Sequence, residues 1–437
     1  MHRTGKYAGK ILLIALAVAA SLVHAQDALP SEATIQQWIQ GPEVRLPGWS
    51  VHVRAPALTF QLRQAVAIRA RGDIEKAHFT GHEMHVYVRV ADRKGWLPIP
   101  RHSHLAQLPR KADVMVSEDF FARPGDYRIA FIVYDAMTKK HGTWLRSVHV
   151  PEPDLPLAWN DVPEIEFIDA ERPLQTLATP AALSIETNHP LRIDLVVNLT
   201  ERAEMEMLSA NAPASSGRHQ VDPLTPDWML DRAPQDVMTE SLLSIAEALS
   251  AFHPNGCVKV SAFDAIRAKA YLDRSKGFDT AKLLEELKHN RNVAVVDQHT
   301  LALRERSAEF FRKFVQEIVD DNSACKSVPG PASRAVILVS DEMLFPNEDL
   351  IQSVEPNPAE RNTQYFFLRL AIPDYGPVGH VEYRNGLRLR MASGRFDEVP
   401  RLLRDLHPRR FDMSQPKDFE RVLLQLKDAI SSGGNAK

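Results

Sequence analysis

Two stretches of this chain, residues 191–200 and 334–340, read as almost continuously apolar strands. A strand written that way is covered on both faces, as strands are in a parallel sheet held between layers of helices. The sequence between and around them supplies those helices. Met238, Leu242, Ile245, Leu249 and Phe252 recur at helical spacing until Pro254-Asn255-Gly256 stops them. Residues 257–263 read as the next strand and 268–272 as another, followed by a helix over 280–287. A longer helix over 301–319 carries Leu303, Phe310, Phe314 and Ile318 on one face. Residues 365–370 form a further strand. A last amphipathic helix begins near Pro416 and turns Phe419, Val422, Leu423, Leu426 and Ile430 inward. This alternation predicts an α/β, doubly wound domain over 190–432.

The preceding half has a different period. Met84, Val86, Val88 and Val90 alternate with His85, Tyr87 and Arg89, and Tyr127, Ile129, Phe131 and Val133 alternate with Arg128 and Ala130. Period two places one face on a core and the other toward water. Residues 138–142 make a polar turn before a strand at 143–150. Pro124-Gly125-Asp126-Tyr127 has the pattern of the tyrosine corner of immunoglobulin-like sandwiches. Residues 45–150 are therefore expected to form an all-β immunoglobulin-like sandwich, and no helical period shows in this half. Pro151, Pro153, Pro156 and Pro163 mark 151–189 as a Pro-rich linker, in which Ile165, Phe167 and Ile168 suit a short strand.

The N-terminus carries an export signal. Arg3, Lys6 and Lys10 precede an apolar run over 11–23, which meets the small-residue cleavage pattern Val23-His24-Ala25. The run is shorter than the ~20 residues a bilayer core requires, so residues 1–25 are expected to be a cleaved signal peptide and the product secreted or periplasmic, with no transmembrane segment afterwards. Cys257 and Cys325 are the only cysteines, and in an oxidising space one disulfide between them is the simplest expectation. A net charge of −3 offers no general attraction to nucleic acid.

The order of elements in the C-terminal half resembles the von Willebrand factor A-type domain. A hydrophobic strand is followed by an amphipathic helix, then by a strand ending in Ser261-Ala262-Phe263-Asp264 and an edge strand. The Ala335-Val336-Ile337-Leu338-Val339-Ser340-Asp341 strand and the Ser393-Gly394-Arg395-Phe396 segment come later. The resemblance implies a ligand site at the carboxyl ends of the strands. In that family an Asp-x-Ser-x-Ser turn, a Thr and a distant Asp hold a hard cation such as Mg²⁺. Here the turn reads Asn198-Leu199-Thr200-Glu201-Arg202, Thr300 stands where the family Thr would, and Asp341 fits the final Asp. An amide replaces the first carboxylate and a guanidinium replaces the last Ser, so no metal is expected at this degenerate site. Asp194 would restore the motif only in a different strand register. A long stretch over 201–235, with Trp228, intervenes before the next helix and is expected to act as a lid or partner-contact loop.

Other constellations point less far. His78, His82, Glu83 and His85 miss the helical H-E-x-x-H spacing; His102 and His104 could complete a surface metal site with them, but the histidines are expected to be solvated. No G-x-S-x-G elbow and no phosphate-binding glycine loop occurs. The arginines between Arg384 and Arg410 are diluted by Asp397, Glu398 and Asp405 and read as a solvated face. Asn198-Leu199-Thr200 matches a glycosylation sequon but ends a buried strand. The resulting expectation is an exported, non-catalytic protein-binding or assembly protein of the cell envelope, using Asn198, Thr200, Arg202, Trp228, Thr300 and Asp341 as partner surface. Its alternatives are an extracytoplasmic hydrolase with Ser, His and Asp converging in space, or a genuine Mg²⁺-dependent adhesion domain.

Overall fold

The computed structural model describes residues 29–432 apart from 74–78, 99, 106–112, 160, 169–180, 184–189, 201–233, 252–256, 276–278, 292–305, 324–332, 344–351, 361, 372–380, 385–386 and 391–396. The chain divides into two units. The first takes the described residues up to Pro56 with Val66–Asp119 and Gly125–Val150. The second takes Ala57–Ala65, Phe120–Pro124 and the described residues from Pro151 onward. Two short stretches within 45–150 thus belong with the C-terminal unit, which sequence periodicity alone does not reveal. The signal-peptide expectation, residues 1–25, lies outside the described residues.

The first unit opens on helix α1 (Glu32–Gln40), an element the period-two reading missed. Ser31 caps it, its hydroxyl accepting from the Thr34 N–H at 3.2 Å, and Ile35 and Ile39 are buried four residues apart. The strands follow as β1 (Trp49–Val53), β2 (Ala57–Leu58), β3 (Gln64–Asp73), β4 (Met84–Ala91), β5 (Arg101–Leu105), β6 (Asp113–Ala122), β7 (Gly125–Asp135) and β8 (His141–Val150). One antiparallel sheet has the order β5-β4-β7-β8, and β1 pairs antiparallel with β3 in another.

Alternation led us to expect one wet face on β4, but every residue of the strand is buried. Met84, Val86, Val88 and Val90 fill one side. On the other, Tyr87 clusters with Ile35, Ile39, Ala130, Ile132 and Tyr134, with Trp38 and Trp96 packed beside them. The helix α1 is what covers that face, and Arg89 on the same side pairs with Glu32 at the helix start. Burying an isoleucine in such a place contributes about 1.5–3 kcal/mol.

The second unit continues with β9 (Leu157–Ala158), β10 (Ile165–Ile168), β11 (Ala182–Leu183), β12 (Leu191–Asn198), α2 (Pro234–Ser250), β13 (Cys257–Asp264), β14 (Lys269–Ser275) and α3 (Thr280–Arg291). After these come α4 (Ser307–Val319), β15 (Ser333–Asp341), β16 (Thr363–Leu370), β17 (Val381–Arg384), β18 (Leu387–Arg390), α5 (Val399–Leu402), β19 (Arg409–Met413) and α6 (Pro416–Ser432). Within the expected linker β9 pairs with β11, and the short strand expected at Ile165–Ile168 is β10, with both isoleucines buried. Strands β17 and β18 pair with each other, and β19 is a sheet strand that the arginine-rich sequence before it obscured.

The main sheet has the order β14-β13-β12-β15-β16-β19. All neighbours run parallel except the edge strand β14, which is antiparallel to β13. Both faces carry helices. Leu191, Ile193, Leu195 and Val197 of β12 pack with residues of α2, α3 and α6, while Val196 joins Val336, Leu338 and Phe367 against Phe311, Phe314 and Ile318 of α4. The unbroken apolar run of β12 is explained by this double coverage.

Residues 57–65 add to the first of these cores. Phe60 and Leu62 are buried in it, Phe60 lies 6.0 Å from the Phe419 ring, and Gln61 donates to Ser244 Oγ at 2.5 Å. Leu62 holds φ at 61°, a left-handed conformation that costs a branched residue about 1–2 kcal/mol. Its full burial offsets that strain.

Asp194 sits mid-strand on β12, four residues from the site end, which fixes the register question raised by the sequence. It accepts from Arg192 Nε at 3.1 Å and from Arg334 Nε at 2.6 Å, and all three are buried. Arg334 also donates from Nη1 to the Val319 carbonyl at 2.9 Å and from Nη2 to the Ile318 carbonyl, satisfying the last carbonyls of α4. Cys257, at the start of β13 beside Arg192, is disulfide-bonded. The chain's other cysteine, Cys325, lies outside the described residues.

Candidate functional site

The carboxyl ends of β12, β13 and β15 converge where the strand order reverses, the place at which open α/β sheets bind ligands. Asn198 ends β12. Its Nδ2 donates to Ser340 Oγ on β15 at 2.8 Å and to Met343 Sδ, and its Oδ1 accepts from the Thr200 N–H at 3.2 Å and from Thr200 Oγ1 at 2.5 Å. Thr200 Oγ1 in turn accepts from the Ala265 N–H at 2.7 Å, just past the end of β13. The two side chains therefore tie three strand ends together.

The direction of each bond explains the amide. Ser340 Oγ gives its only proton to the Asp341 carbonyl at 2.7 Å, so it can only accept from Asn198. A carboxylate at position 198 has nothing to donate there. Both lone pairs of Asn198 Oδ1 are taken by Thr200, and Asp341 Oδ1 accepts from the Glu342 N–H at 2.6 Å. Among the described residues, Asn198 Oδ1 thus has no lone pair left for the hard divalent cation of the resembled family, which takes several oxygens.

Asn198, Thr200 and Asp341 are thus brought together, yet they are 1%, 7% and 2% exposed and lie beneath the surface. Arg202, Trp228 and Thr300, with most of the 201–235 stretch, lie outside the described residues.

A charged group that sequence reading missed stands beside this clasp. Arg369, at the end of β16, donates from Nη1 to Glu342 at 2.9 Å and from Nε to Asp412 at 2.8 Å. Its Nη1 is 3.8 Å from Asp397 Oδ2. Asp397 Oδ1 accepts from the Met343 and Val399 N–H groups at 3.3 and 3.2 Å, which holds the segment after β15 against the start of α5. Burial pushes the Asp397 carboxyl up to about 6, although the two N–H groups and Arg369 pull the other way and Glu342 adds to the rise. The only sequence signal was the charged pair Asp341-Glu342 following an apolar strand, which does not name the partners.

The histidines fall into two groups. His82 precedes β4 and bonds Asp135 through Nδ1 at 2.9 Å. Asp135 organises the 135–138 turn by accepting from the Met137 and Thr138 N–H groups and from the Thr138 hydroxyl. His85 sits in β4 opposite His104 of β5, with His102 opposite Tyr87, so all four rings lie on one sheet face with Glu83. His85 is 4% exposed, which corrects the expectation of a solvated side chain. His78 lies outside the described residues. Of the arginines read as a solvated face, Arg401, Arg404 and Arg410 are exposed and pair with Glu398, Asp405 and Asp412.

No family model matches the chain, and no curated protein matches it. Among solved structures it is similar to a β-glucosidase from Listeria innocua, at 10% identity and a TM-score of 0.15, over 24% of this chain and 16% of that one. It is also similar to a β-glucuronidase from Bacteroides uniformis, at 10% identity and 0.18, over 74% of this chain and 36% of that one. A family 123 glycoside hydrolase from Clostridium perfringens scores 0.25 at 10% identity, over 75% of this chain and 65% of that one. The chain spans less than two thirds of the length of each of these three. Likeness at these TM-scores supports no conclusion about fold or activity.

Proposed function

We propose that this chain is an exported, non-catalytic binding or assembly protein of the cell envelope, with an immunoglobulin-like N-terminal unit and a divergent von Willebrand factor A-type C-terminal unit. The A-type reading is supported by the sheet order, in which β12 is central, β13 lies beside it, and an antiparallel edge strand β14 lies beyond. The immunoglobulin-like reading rests on the antiparallel β5-β4-β7-β8 sheet and on buried Tyr127 near the start of β7.

The observation that carries the functional reading is the Asn198 clasp. Ser340, the serine at the strand end, is fully buried with its proton on a backbone carbonyl, which disfavours a nucleophile there. Asn198 Oδ1, the first oxygen a cation would need here, is spent on Thr200. Following the resemblance, we assign binding to the 201–235 stretch, above all Trp228 and Arg202, and to Thr300. Asn198 and Thr200 tie the described strand ends together.

Capture of partners by the mature protein from its own envelope fraction tests this reading. After treatment with chelator, the same partners are expected whether or not Mg²⁺ is restored, and Trp228→Ala is expected to lose them. Capture that returns only with Mg²⁺ would establish the adhesion-type alternative instead.

A further inference from the structure

Glu83, His85 and His104 bring three metal-ligating side chains together on one sheet face. Their ligand atoms all lie within 4.8 Å of one another. Glu83 Oε1 is 2.9 Å from His104 Nε2 and 3.4 Å from His85 Nε2. Ligands on a tetrahedral Zn²⁺ with bonds of about 2.0–2.1 Å stand roughly 3.3 Å apart, and the two Glu83 distances bracket that edge.

Strand pairing sets this geometry. His85 and His104 are direct cross-strand partners in the antiparallel β4–β5 ladder, and their rings stack with centroids 4.8 Å apart. Glu83 precedes His85 by two residues and so shares its side. His102, opposite Tyr87, is the diagonal neighbour of His85 on the same face.

The third histidine of this face, His102, decides which nitrogen of His85 is offered. His85 Nδ1 is 3.1 Å from His102 Nε2, and His102 is stacked on the Tyr87 ring at 4.7 Å. With Nδ1–H donated to His102, His85 presents the lone pair of Nε2 toward Glu83 and His104. That Nε2 is buried and makes no hydrogen bond among the described residues. A histidine whose other ring nitrogen is fixed by an acceptor has the arrangement found behind metal-bound imidazoles. The side chains of Glu83 and His104 are 52% and 46% exposed, so an ion reaches the group from solvent.

We propose that Glu83 Oε1, His85 Nε2 and His104 Nε2 bind a Zn²⁺ ion on this sheet face, with His102 as the positioning residue for His85. Two imidazoles and one carboxylate suit zinc and exclude magnesium, which takes oxygen ligands. Three protein ligands leave the fourth position to water or to a donor from a bound molecule. This inference is independent of the reading of the α/β sheet, whose clasp lies in the other unit.

The test is a titration of the untagged mature protein with Zn²⁺, and with Co²⁺ as a spectroscopic probe. One equivalent per chain is expected, with the intense visible bands of low-symmetry four-coordinate Co²⁺. His104→Ala and Glu83→Gln, both at exposed positions, are expected to weaken binding at least ~10-fold, as losing a ligand or its support does. His102→Ala is expected to weaken it while keeping the Co²⁺ band pattern. His149→Ala, which removes an exposed histidine paired with Asp126, serves as control and leaves binding unchanged. Binding that His149→Ala reduces as much as His104→Ala, or the absence of saturable binding in the wild-type protein, overturns the proposal.

Discussion

Asn198 donates from its side-chain amide to Ser340 Oγ across the β12–β15 boundary at 2.8 Å, and Ser340 has no proton to return. The polarity of this one bond accounts for the departure from the carboxylate of the resembled motif. Asn198→Asp removes two donors and places a charge in a fully enclosed position. A loss of about 2–4 kcal/mol in unfolding free energy is expected from chemical denaturation. An unchanged or raised stability would mean that the amide is dispensable.

Asp397 gives a pH signature. Burial holds its folded pKa at about 6, above the unfolded value, so the folded state keeps a proton that the unfolded state has released between about pH 4 and 6. Stability contributed by the protonated carboxyl is complete below that window and is lost as pH rises through it, by up to ~1.4 kcal/mol per pH unit. Asp397→Asn keeps the acceptor for the Met343 and Val399 N–H groups and cannot ionise. Relative to wild type, the variant is expected to gain roughly 3 kcal/mol across the window, read as the difference between their unfolding free energies at its two ends. A difference that does not change with pH would contradict this.

The buried ionic cluster at the other end of the sheet predicts a different outcome. Asp194→Ala removes the carboxylate that Arg192 and Arg334 share; Arg192 keeps Asp321 and Arg334 keeps Glu360, so the expected cost is below the ~3–5 kcal/mol of a buried charge left alone. Arg334 then loses one of the two carboxylates, Asp194 and Glu360, that aim it at the carbonyls ending α4, so amide hydrogen exchange in the last turn of α4 is expected to rise. Protection there equal to wild type would show that the helix end does not depend on the cluster.

In the first unit, Ile35→Ala opens the contact between α1 and β4 and is expected to cost about 2–5 kcal/mol. Loss of protection in β4 and β7 before β8 is the accompanying hydrogen-exchange signature. A cost near zero would show that α1 only rests on the sheet.

How much of this was legible in the sequence follows from the range of each interaction. The apolar runs of β12 and β15 and the helical spacing of 416–430 are local patterns, and they announced the α/β sheet and its double coverage. The helix α1 was missed because two isoleucines and a Ser31 cap make a short signal beside long alternating strands. The wet face expected on β4 failed for the same reason, since alternation cannot say that a distant helix covers the second side. The site was legible only in part. Asn198, Thr200 and Asp341 were found by their order, but the proton direction at Ser340 and the Arg369–Asp397 pairing depend on residues brought together from separate strands. His85 and His104 are nineteen positions apart and face each other only through the β4–β5 register.

The central claim is that the carboxyl end of this sheet is closed by its own hydrogen bonds and needs no cation. Thermal unfolding of chelator-treated mature protein across a Mg²⁺ titration tests it most directly, because an ion that binds the folded state raises the midpoint with its concentration. The account predicts an unchanged midpoint for the α/β unit at every Mg²⁺ concentration. A saturable rise that Asp341→Asn abolishes would contradict it.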